Sequence, residues 1–439
     1  MWRDRDFRRL WVGQTVSQLG EHTTLVVLPL CAVLTLGVGA GELGVLRAVG
    51  QAPILLLSLL VGAWVDRWRT RTVMVLADVG RTLALGAAAV AWFFGALGLP
   101  ALLVAGFAVG SLSVFFDVAY QASLVRLVKR DQLVRGNSAL EGSRSAAQIA
   151  GPALGGALVS LLSAPIAAAS SALLFALSFL SIRRIRRSES IPEPTHQPSQ
   201  RLPEPKQESQ QVPKQEPRRR PPRVWRRIRE GLRFVIGDTS LRAVCLASAA
   251  FQFSLAATMT VYLLFLPREL HLSGTEVGLV LAATGPGALL GSLLAARLPG
   301  RWGHGVVLVS AAAIGDGAFL CVPALHGSSA GTVLALVAVG LVFGTFGQLV
   351  NVTVMAVRQA LTPDGMQGRA AATITFVGMG LTPLGSLLGG FLADEWGLRL
   401  GLAVTAAGML LSPLLMALSP LARLGRTLPD RRAPCPARP

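Results

Sequence analysis

Runs of apolar residues, most of them about twenty residues or longer, alternate along the chain with short polar connections rich in arginine. Twelve such runs are read, near 10–36, 42–63, 72–96, 99–123, 139–162 and 164–182, then 240–266, 274–298, 304–325, 330–356, 369–393 and 398–419. A helix rises about 1.5 Å per residue, so about twenty apolar residues cross a hydrocarbon core about 30 Å thick. Lipid offers no partners to backbone N–H and C=O groups, and runs this long and unbroken satisfy them as helices. The fold class predicted is an all-α membrane protein of twelve transmembrane helices.

The positions of the basic residues orient those helices. One set of connections carries Arg67, Arg69 and Arg71, then Arg126, Lys129, Arg130 and Arg135, then Arg297 and Arg301, then Arg358 and Arg369. The alternate set holds little beyond Arg268 and Arg399. Basic loops stay on the cytoplasmic side, which puts this face and both termini there and requires an even number of spans.

An internal repeat divides the chain. Gly62 to Arg71 reads Gly-Ala-Trp-Val-Asp-Arg-Trp-Arg-Thr-Arg, and 234 positions later Arg301 and Trp302 stand in the places of Arg67 and Trp68. At the same offset Gly151, Gly155 and Gly156 recur as Gly385, Gly389 and Gly390, and at an offset of 233 Asp131-Gln-Leu133 is matched by Asp364-Gly-Met366. The repeat is uneven, since Gly300 stands where Asp66 does. Two parallel six-helix bundles are predicted, over 1–187 and 224–422.

Between them, 188–223 is rich in Pro, Gln, Glu and Arg and too poor in apolar side chains to form a core, as a disordered cytoplasmic linker would be. Residues 423–439 read as a basic cytoplasmic tail. After the linker Trp225, Ile228, Leu232 and Val235 fall at helical spacing, with Arg226, Arg227, Arg229 and Arg233 on other faces. That pattern suits an interfacial helix on an anionic leaflet, the alternative being a plain extension of the seventh span.

Composition narrows the functional classes. Charged residues make up 15% of the 439 positions against roughly a quarter in soluble proteins, hydrophobic residues make up 52%, and mean hydropathy is +0.55. The net charge of +18 sits in the connections, so it reads as topology and no nucleic acid partner is expected. Four cysteines show neither metal-ligand spacing nor a disulfide framework. The N-terminal Met-Trp-Arg-Asp-Arg-Asp-Phe-Arg-Arg leads into apolar sequence without a small-residue cleavage site, which reads as a retained first span. No catalytic constellation and no phosphate-binding loop ending in Lys-Ser or Lys-Thr is present, so neither an enzyme nor an ATP-driven pump is expected, and no metal or cofactor. The expected partners are a small-molecule substrate, protons and the lipid bilayer, for a protein expected to be monomeric.

Gly62-x-x-x-Asp66-Arg67-x-x-x-Arg71 resembles the signature between helices 2 and 3 of the major facilitator superfamily. The chain resembles its branch of bacterial efflux permeases, which includes enterobactin-exporter-like and macrolide-efflux-like proteins, over about 3–187 and 224–422. The resemblance implies a secondary transporter of the bacterial cytoplasmic membrane, working by alternating access. It further implies that Asp66 lies by the N-terminus of helix 11, where a carboxylate meets free N–H groups, while Arg67 and Arg71 hold a cytoplasmic gate. Arg69 and Thr70 depart from the usual pattern. Gly151-Pro152-x-x-Gly155-Gly156 resembles the antiporter motif of drug exporters, with Ser138 and Ala147 replacing its upstream glycines. Small residues allow close helix approach and proline bends the helix, so general packing is an alternative explanation.

Intramembrane charges supply the remaining candidates. Glu21 lies near the middle of the first span beside His22, among Gln14, Gln18, Thr23 and Thr24. Taking a carboxylate out of water favours its neutral form, so Glu21 is the candidate proton carrier, the alternative being an acid that fixes packing. Asp117, in the fourth span, is either a second proton-coupling candidate or one partner of an ion pair with Arg71 or Arg69 in the resembled gate. Asp78 with Arg81, and Glu141 with Arg144, are i, i+3 pairs in the inner third of their spans and read as gate scaffolding. Asp316 is mid-span in the ninth helix, peripheral in the resembled fold, so a packing role is expected. Gln252, Ser254, Thr258, Thr260, Gln348, Asn351 and Thr353 would line a cavity of mixed polarity if they face the centre. Arg47 is the one basic residue placed to meet an anionic group, unless it snorkels.

The reading is a proton-coupled exporter of an amphipathic small molecule such as a drug, siderophore or secondary metabolite. The alternatives are an importer of a nutrient or siderophore, or a lipid-handling or sensing protein that does not couple to protons.

Overall fold

The structure, a computed structural model, describes residues 4–65, 68–127, 133–185, 224–363 and 366–427. Helices α1 (Arg5–Thr35), α2 (Ala40–Val65), α3 (Thr70–Phe93), α4 (Leu99–Leu127), α5 (Leu133–Leu162) and α6 (Ala164–Arg183) form the first half. The second comprises α7 (Val224–Gly237), α8 (Thr239–Arg268), α9 (Gly274–Ala282), α10 (Thr284–Ala295), α11 (Leu298–Trp302), α12 (His304–Gly317), α13 (Ala330–Leu361), α14 (Gln367–Gly380), α15 (Thr382–Met409) and α16 (Leu411–Ala417). Two 3-10 helices, Ala318–Ala324 and Pro420–Arg423, follow α12 and α16.

Eleven stretches of the described residues are long and apolar enough to cross a membrane. One of them, Thr373–Ala417, is 45 residues long and contains Gly397 at φ 80°, a left-handed turn that reverses the chain. That stretch therefore makes two crossings, and the count reaches twelve.

The two halves differ in continuity. Pro29, Pro53 and Pro152 sit inside unbroken α1, α2 and α5. In the second half, spans 8, 11 and 12 each divide where a proline ring meets the carbonyl of the preceding turn. Helix α9 ends at Ala282, four residues before Pro286; α14 ends at Gly380, three before Pro383; α15 ends at Met409, four before Pro413. Span 9 changes from α12 to a 3-10 helix just after Asp316.

The amphipathic segment after the linker is a separate helix and not an extension of span 7. Helix α7 stops at Gly237, and Asp238 caps α8 by accepting from the N–H groups of Ser240 (2.9 Å) and Leu241 (3.0 Å). Helix α7 packs on α14, where Gly231 lies against Thr373 and Arg369, and Arg369 donates to Glu230 at 2.9 Å.

Within the first half α1 packs on α5 and α6, α3 on α4 and α6, and α2 on α4. Within the second α8 packs on α15 and α13 on α10 and α12, while α2–α15 and α5–α9 join the halves. At the face opposite the basic connections one apolar core, including Val27, Leu30, Leu43, Val261, Phe265 and Leu402, runs across both halves. Toward the basic face the core splits, with Leu10, Met74, Phe116 and Leu140 in the first half and Leu241, Val244, Leu308 and Ala370 in the second. The halves are thus fused at one face and part toward the other.

Candidate functional site

Arg81 is the centre of the polar cluster in the first half. It is the twelfth of the 24 residues of α3, hence mid-membrane rather than in the inner third, and its side chain is fully buried. Its Nη2 donates to Asp78 Oδ1 at 2.6 Å and to Ser17 Oγ at 3.1 Å, and its Nη1 to Ser113 Oγ at 3.3 Å. The rings of Phe116 and Phe175 lie against its guanidinium, each with its centroid 4.5 Å away, and offer the π faces that attract a cation. The Ser17 hydroxyl donates to Asp78 Oδ1 at 3.1 Å, and the Ser178 hydroxyl donates to the other Asp78 oxygen at 2.5 Å. The i, i+3 pair is therefore joined to α1, α4 and α6 as well.

Glu21 belongs to the same cluster. Its Oε2 lies 3.6 Å from Arg81 Nη1, too far for a hydrogen bond, and has no hydrogen-bond partner, while 24% of the side chain stays exposed. Asp117 accepts from Gln18 Nε2 at 3.4 Å, and the charges acting on it are those of Arg144 and Arg81. The expected pairing of Asp117 with Arg71 or Arg69 is replaced by this one. Arg71 sits at the first turn of α3 and donates to the Arg183 carbonyl, while Asp117 lies deeper, level with the Arg81 cluster. Arg144 acts on Glu21, His22 and Asp117 together. The Glu21 surroundings thus meet the Asp78–Arg81 pair and Arg144, with Asp117 as the third carboxylate.

Asp66, Arg67, Asp131 and Asp364 lie outside the described residues, as does the side chain of Glu141, and Gly62 is described only as part of α2. Trp68 and Arg69 are exposed beside the start of α3.

The glycine motif of α5 serves two seams. A Cβ on Gly151 would strike the Cβ of His22 and come 3.1 Å from Thr23 N, and one on Gly155 would come 3.1 Å from Thr23 O, so both glycines press α5 onto α1. Gly156 faces the other half, where a Cβ would come 2.6 Å from both Gly274 O and Gly278 N of α9. Pro152 adds its carbonyl to that contact, 3.2 Å from a Cβ on Gly278. The repeat reproduces this division: Gly385 and Gly389 meet Phe253 and Ala257 of α8, and Gly390 meets Ala40, Gly41 and Gly44 of α2.

Asp394, which the sequence does not single out, and Arg268 and Arg399, which it shows only as the few basic residues of the alternate connections, close the same face. Asp394, near the end of span 11, accepts from Ala40 N at 3.1 Å and Gly41 N at 2.8 Å, capping α2 of the other half. Arg268 at the end of α8 donates to Gly37 O at 3.0 Å and Val38 O at 2.6 Å. Arg399 donates to Pro323 O (2.7 Å) and Leu325 O (3.0 Å) and pairs with Glu269 at 3.5 Å, tying spans 7, 9 and 12.

A cavity of about 680 Å³ lies below this closure, extending from mid-membrane toward the basic face. It is lined by α5, α8, α10, α12, α13, α14 and α16. Of the expected polar residues, Gln252, Gln348 and Asn351 line it. Ser254, Thr260 and Thr353 instead bond to backbone carbonyls of Gly408, Ala256 and Leu349, and Thr258 is buried. Asp316, expected to be peripheral, also lines the cavity. Arg47 does not, and its Nε is enclosed without a hydrogen-bond partner.

Comparison with known proteins agrees with this architecture. The Major Facilitator Superfamily profile matches residues 10–264, and a second profile, Transmembrane secretion effector, matches 207–436. The multidrug efflux pump Tap of Mycobacterium tuberculosis (strain ATCC 25618 / H37Rv) is 26% identical over 406 residues, 88% of this chain and 86% of that protein. Tap of Mycolicibacterium fortuitum is 26% identical over 408 residues, 89% of this chain and 90% of that one. Among solved structures, a bacterial homologue of the iron transporter ferroportin in its inward-facing state superposes with a TM-score of 0.72 at 17% identity, covering 94% of this chain and 98% of that chain. A bacterial homologue of the lysosomal transporter Spinster, inward-facing and occupied, gives a TM-score of 0.71 at 13% identity, covering 98% of both. The chain belongs to the major facilitator superfamily and is a multi-pass membrane transporter, not an enzyme.

Proposed function

We propose that this transporter exports amphipathic small molecules from the cytoplasm in exchange for protons. In this reading two six-helix halves, 1–187 and 224–422, rock about the central cavity with the basic face and both termini cytoplasmic. Closure opposite the basic face, with the cavity extending toward it, then corresponds to the inward-facing arrangement. Asp66, Arg67 and Arg71 would close the cytoplasmic side in the outward-facing one. Export is favoured by the kinship with proteins named as multidrug efflux pumps over nearly their whole length.

The observation that carries proton coupling is the half-held state of Glu21. Among the described side chains three carboxylates, Glu21, Asp78 and Asp117, stand against two guanidiniums, Arg81 and Arg144, so a proton on one of them relieves the excess of negative charge. Asp78 is tied down by Arg81 and two serines, whereas Glu21 keeps a carboxylate oxygen without a hydrogen bond and part of its surface open. Glu21 is the group that can take up and release a proton at least structural cost, with Asp117 as its neighbour in the same electrostatic unit. The test is transport in inverted vesicles made acid inside. Substrate should accumulate with the wild-type chain, and Glu21→Gln should abolish the dependence on the proton gradient; an unchanged gradient dependence in Glu21→Gln refutes the assignment.

A further inference from the structure

The cavity carries one feature that proton coupling through Glu21 leaves unused. Asp316 lies in the last turn of α12, at the deep end of the cavity, and is 3% exposed. Its Oδ2 is enclosed without a hydrogen-bond partner, and no basic side chain is found acting on it among the described residues. Buried carboxylates in a membrane otherwise find partners, as Asp78 and Asp117 do here. Asp316 thus lines the cavity with an unsatisfied carboxylate oxygen and, among the described residues, no positive group beside it.

The surroundings define what that group belongs to. Gly315 packs against Phe346 and Gly347 of α13, so Asp316 is level with that part of α13. Phe251 and Phe343 line the same cavity as a stacked pair, centroids 6.4 Å apart and planes 22° from parallel, giving the π faces and apolar area that an aromatic body prefers. Gln348 and Asn351 supply neutral hydrogen-bonding groups. The other charged residue in the lining is Arg358, eleven residues beyond Gly347 on α13 and hence about 16 Å nearer the basic face. A divalent metal ion is poorly matched, since it calls for several oxygen ligands and Asp316 is the one carboxylate in the lining.

We infer that Asp316 is the counter-ion for the positively charged end of the transported molecule, which is an organic cation with an aromatic body. Resting on the export reading above, this separates the two sites, with substrate charge held in the second half and the proton in the first. Asp316 touches substrate directly, and its reach into the cavity from α12 sets specificity for charge, while the phenylalanines accept varied ring systems.

The experiment measures binding of tetraphenylphosphonium, a permanent cation, and of uncharged triphenylphosphine oxide to the purified full-length chain. Wild-type protein should bind the cation, and Asp316→Asn should weaken that binding about ten- to a hundredfold, as expected for loss of a charge-assisted contact. The oxide should bind both proteins alike, and Asp316→Glu should retain most of the affinity for the cation. Equal binding of the cation to wild type and Asp316→Asn, equal weakening of both ligands, or no binding of the cation to wild type overturns the proposal. Because Asp316→Asn can fail to fold, wild-type protein is also treated with dicyclohexylcarbodiimide, which adds to buried carboxyl groups. Tetraphenylphosphonium should protect Asp316 in the mass spectrum, and unchanged labelling at Asp316 overturns the assignment without any substitution. The export reading fails separately: cation binding that depends on Asp316 without transport in vesicles leaves the site standing, whereas transport of the cation unaffected by Asp316→Asn leaves export standing and removes the site.

Discussion

Adding one methyl group at Gly156 is expected to open the face that this structure holds shut. An ideal Cβ there would stand 2.6 Å from both Gly274 O and Gly278 N. Non-bonded carbon contacts prefer about 3.5–4.0 Å, so α5 and α9 must separate by roughly 1 Å at the seam. The atoms in the way are backbone, and no rotamer change relieves the clash. Overpacking of this kind costs about 1–3 kcal/mol. In the proposed cycle the seam exists only while this face is closed, so the cost falls on that arrangement alone. The ratio of closed to open forms should drop about 5- to 150-fold. Spin labels at Leu161 and Thr275, both exposed at the ends of α5 and α9, would report it as a longer distance. Gly142→Ala on the same helix is the control, since a Cβ at Gly142 meets nothing within 4 Å. Gly390→Ala should act in the same direction as Gly156→Ala, because its Cβ would lie 2.7 Å from Ala40 O in the equivalent seam. A folded Gly156→Ala protein whose distance distribution matches that of Gly142→Ala would show that the seam does not set the equilibrium.

Replacing Arg81 by methionine should lower stability by about 3–5 kcal/mol, because Asp78 would then be fully buried without its cation. Thermal unfolding in detergent measures this, and adding Asp78→Asn to Arg81→Met should recover part of the loss; a loss under about 1 kcal/mol contradicts the packing described. Asp394→Ala should cost the α2 cap about 0.5–2 kcal/mol and raise the alkylation rate of a cysteine placed at Gly37, with an unchanged rate counting against the closure. Glu230→Ala should matter little, about 1 kcal/mol or less, since that pair with Arg369 is 41% and 39% exposed. A loss several times larger would mean that α7 is held to α14 mainly by charge.

The spans were legible because lipid imposes a length and a composition that soluble folds do not. The proline breaks were legible in principle too, since Pro286, Pro383 and Pro413 each mark a split in a second-half span. The difficulty there is that Pro29, Pro53 and Pro152 leave their helices whole, so the residue type alone does not decide. Charged residues could be found within the spans but not paired, because pairing depends on how helices are turned toward one another. Asp78 and Arg81 announced themselves by spacing, yet Glu21 joins them across 60 positions and Asp117 reaches Gln18 across 99. The resemblance puts Asp316 at the periphery with its helix, whereas the cavity reaches it where Gly315 packs closely on Phe346 of α13. The glycine repeat could be found by its offset, but which glycine faced which half could not.

The closure by Asp394 and Arg268 has an evolutionary consequence. Both side chains engage main-chain groups of the other half, the N–H of Ala40 and Gly41 and the carbonyls of Gly37 and Val38. Backbone groups persist through most substitutions, so residues such as Ala40 and Val38 can drift without erasing the contact. Gly41 is the exception, for a Cβ there would run into the Asp394 carboxylate. Related transporters can therefore share this fastening with no complementary charge in the 37–41 loop, and covariation between side chains would pass over it. Its trace in a sequence would be an acid near the end of span 11, a basic residue ending span 7, and a glycine at the start of the second helix.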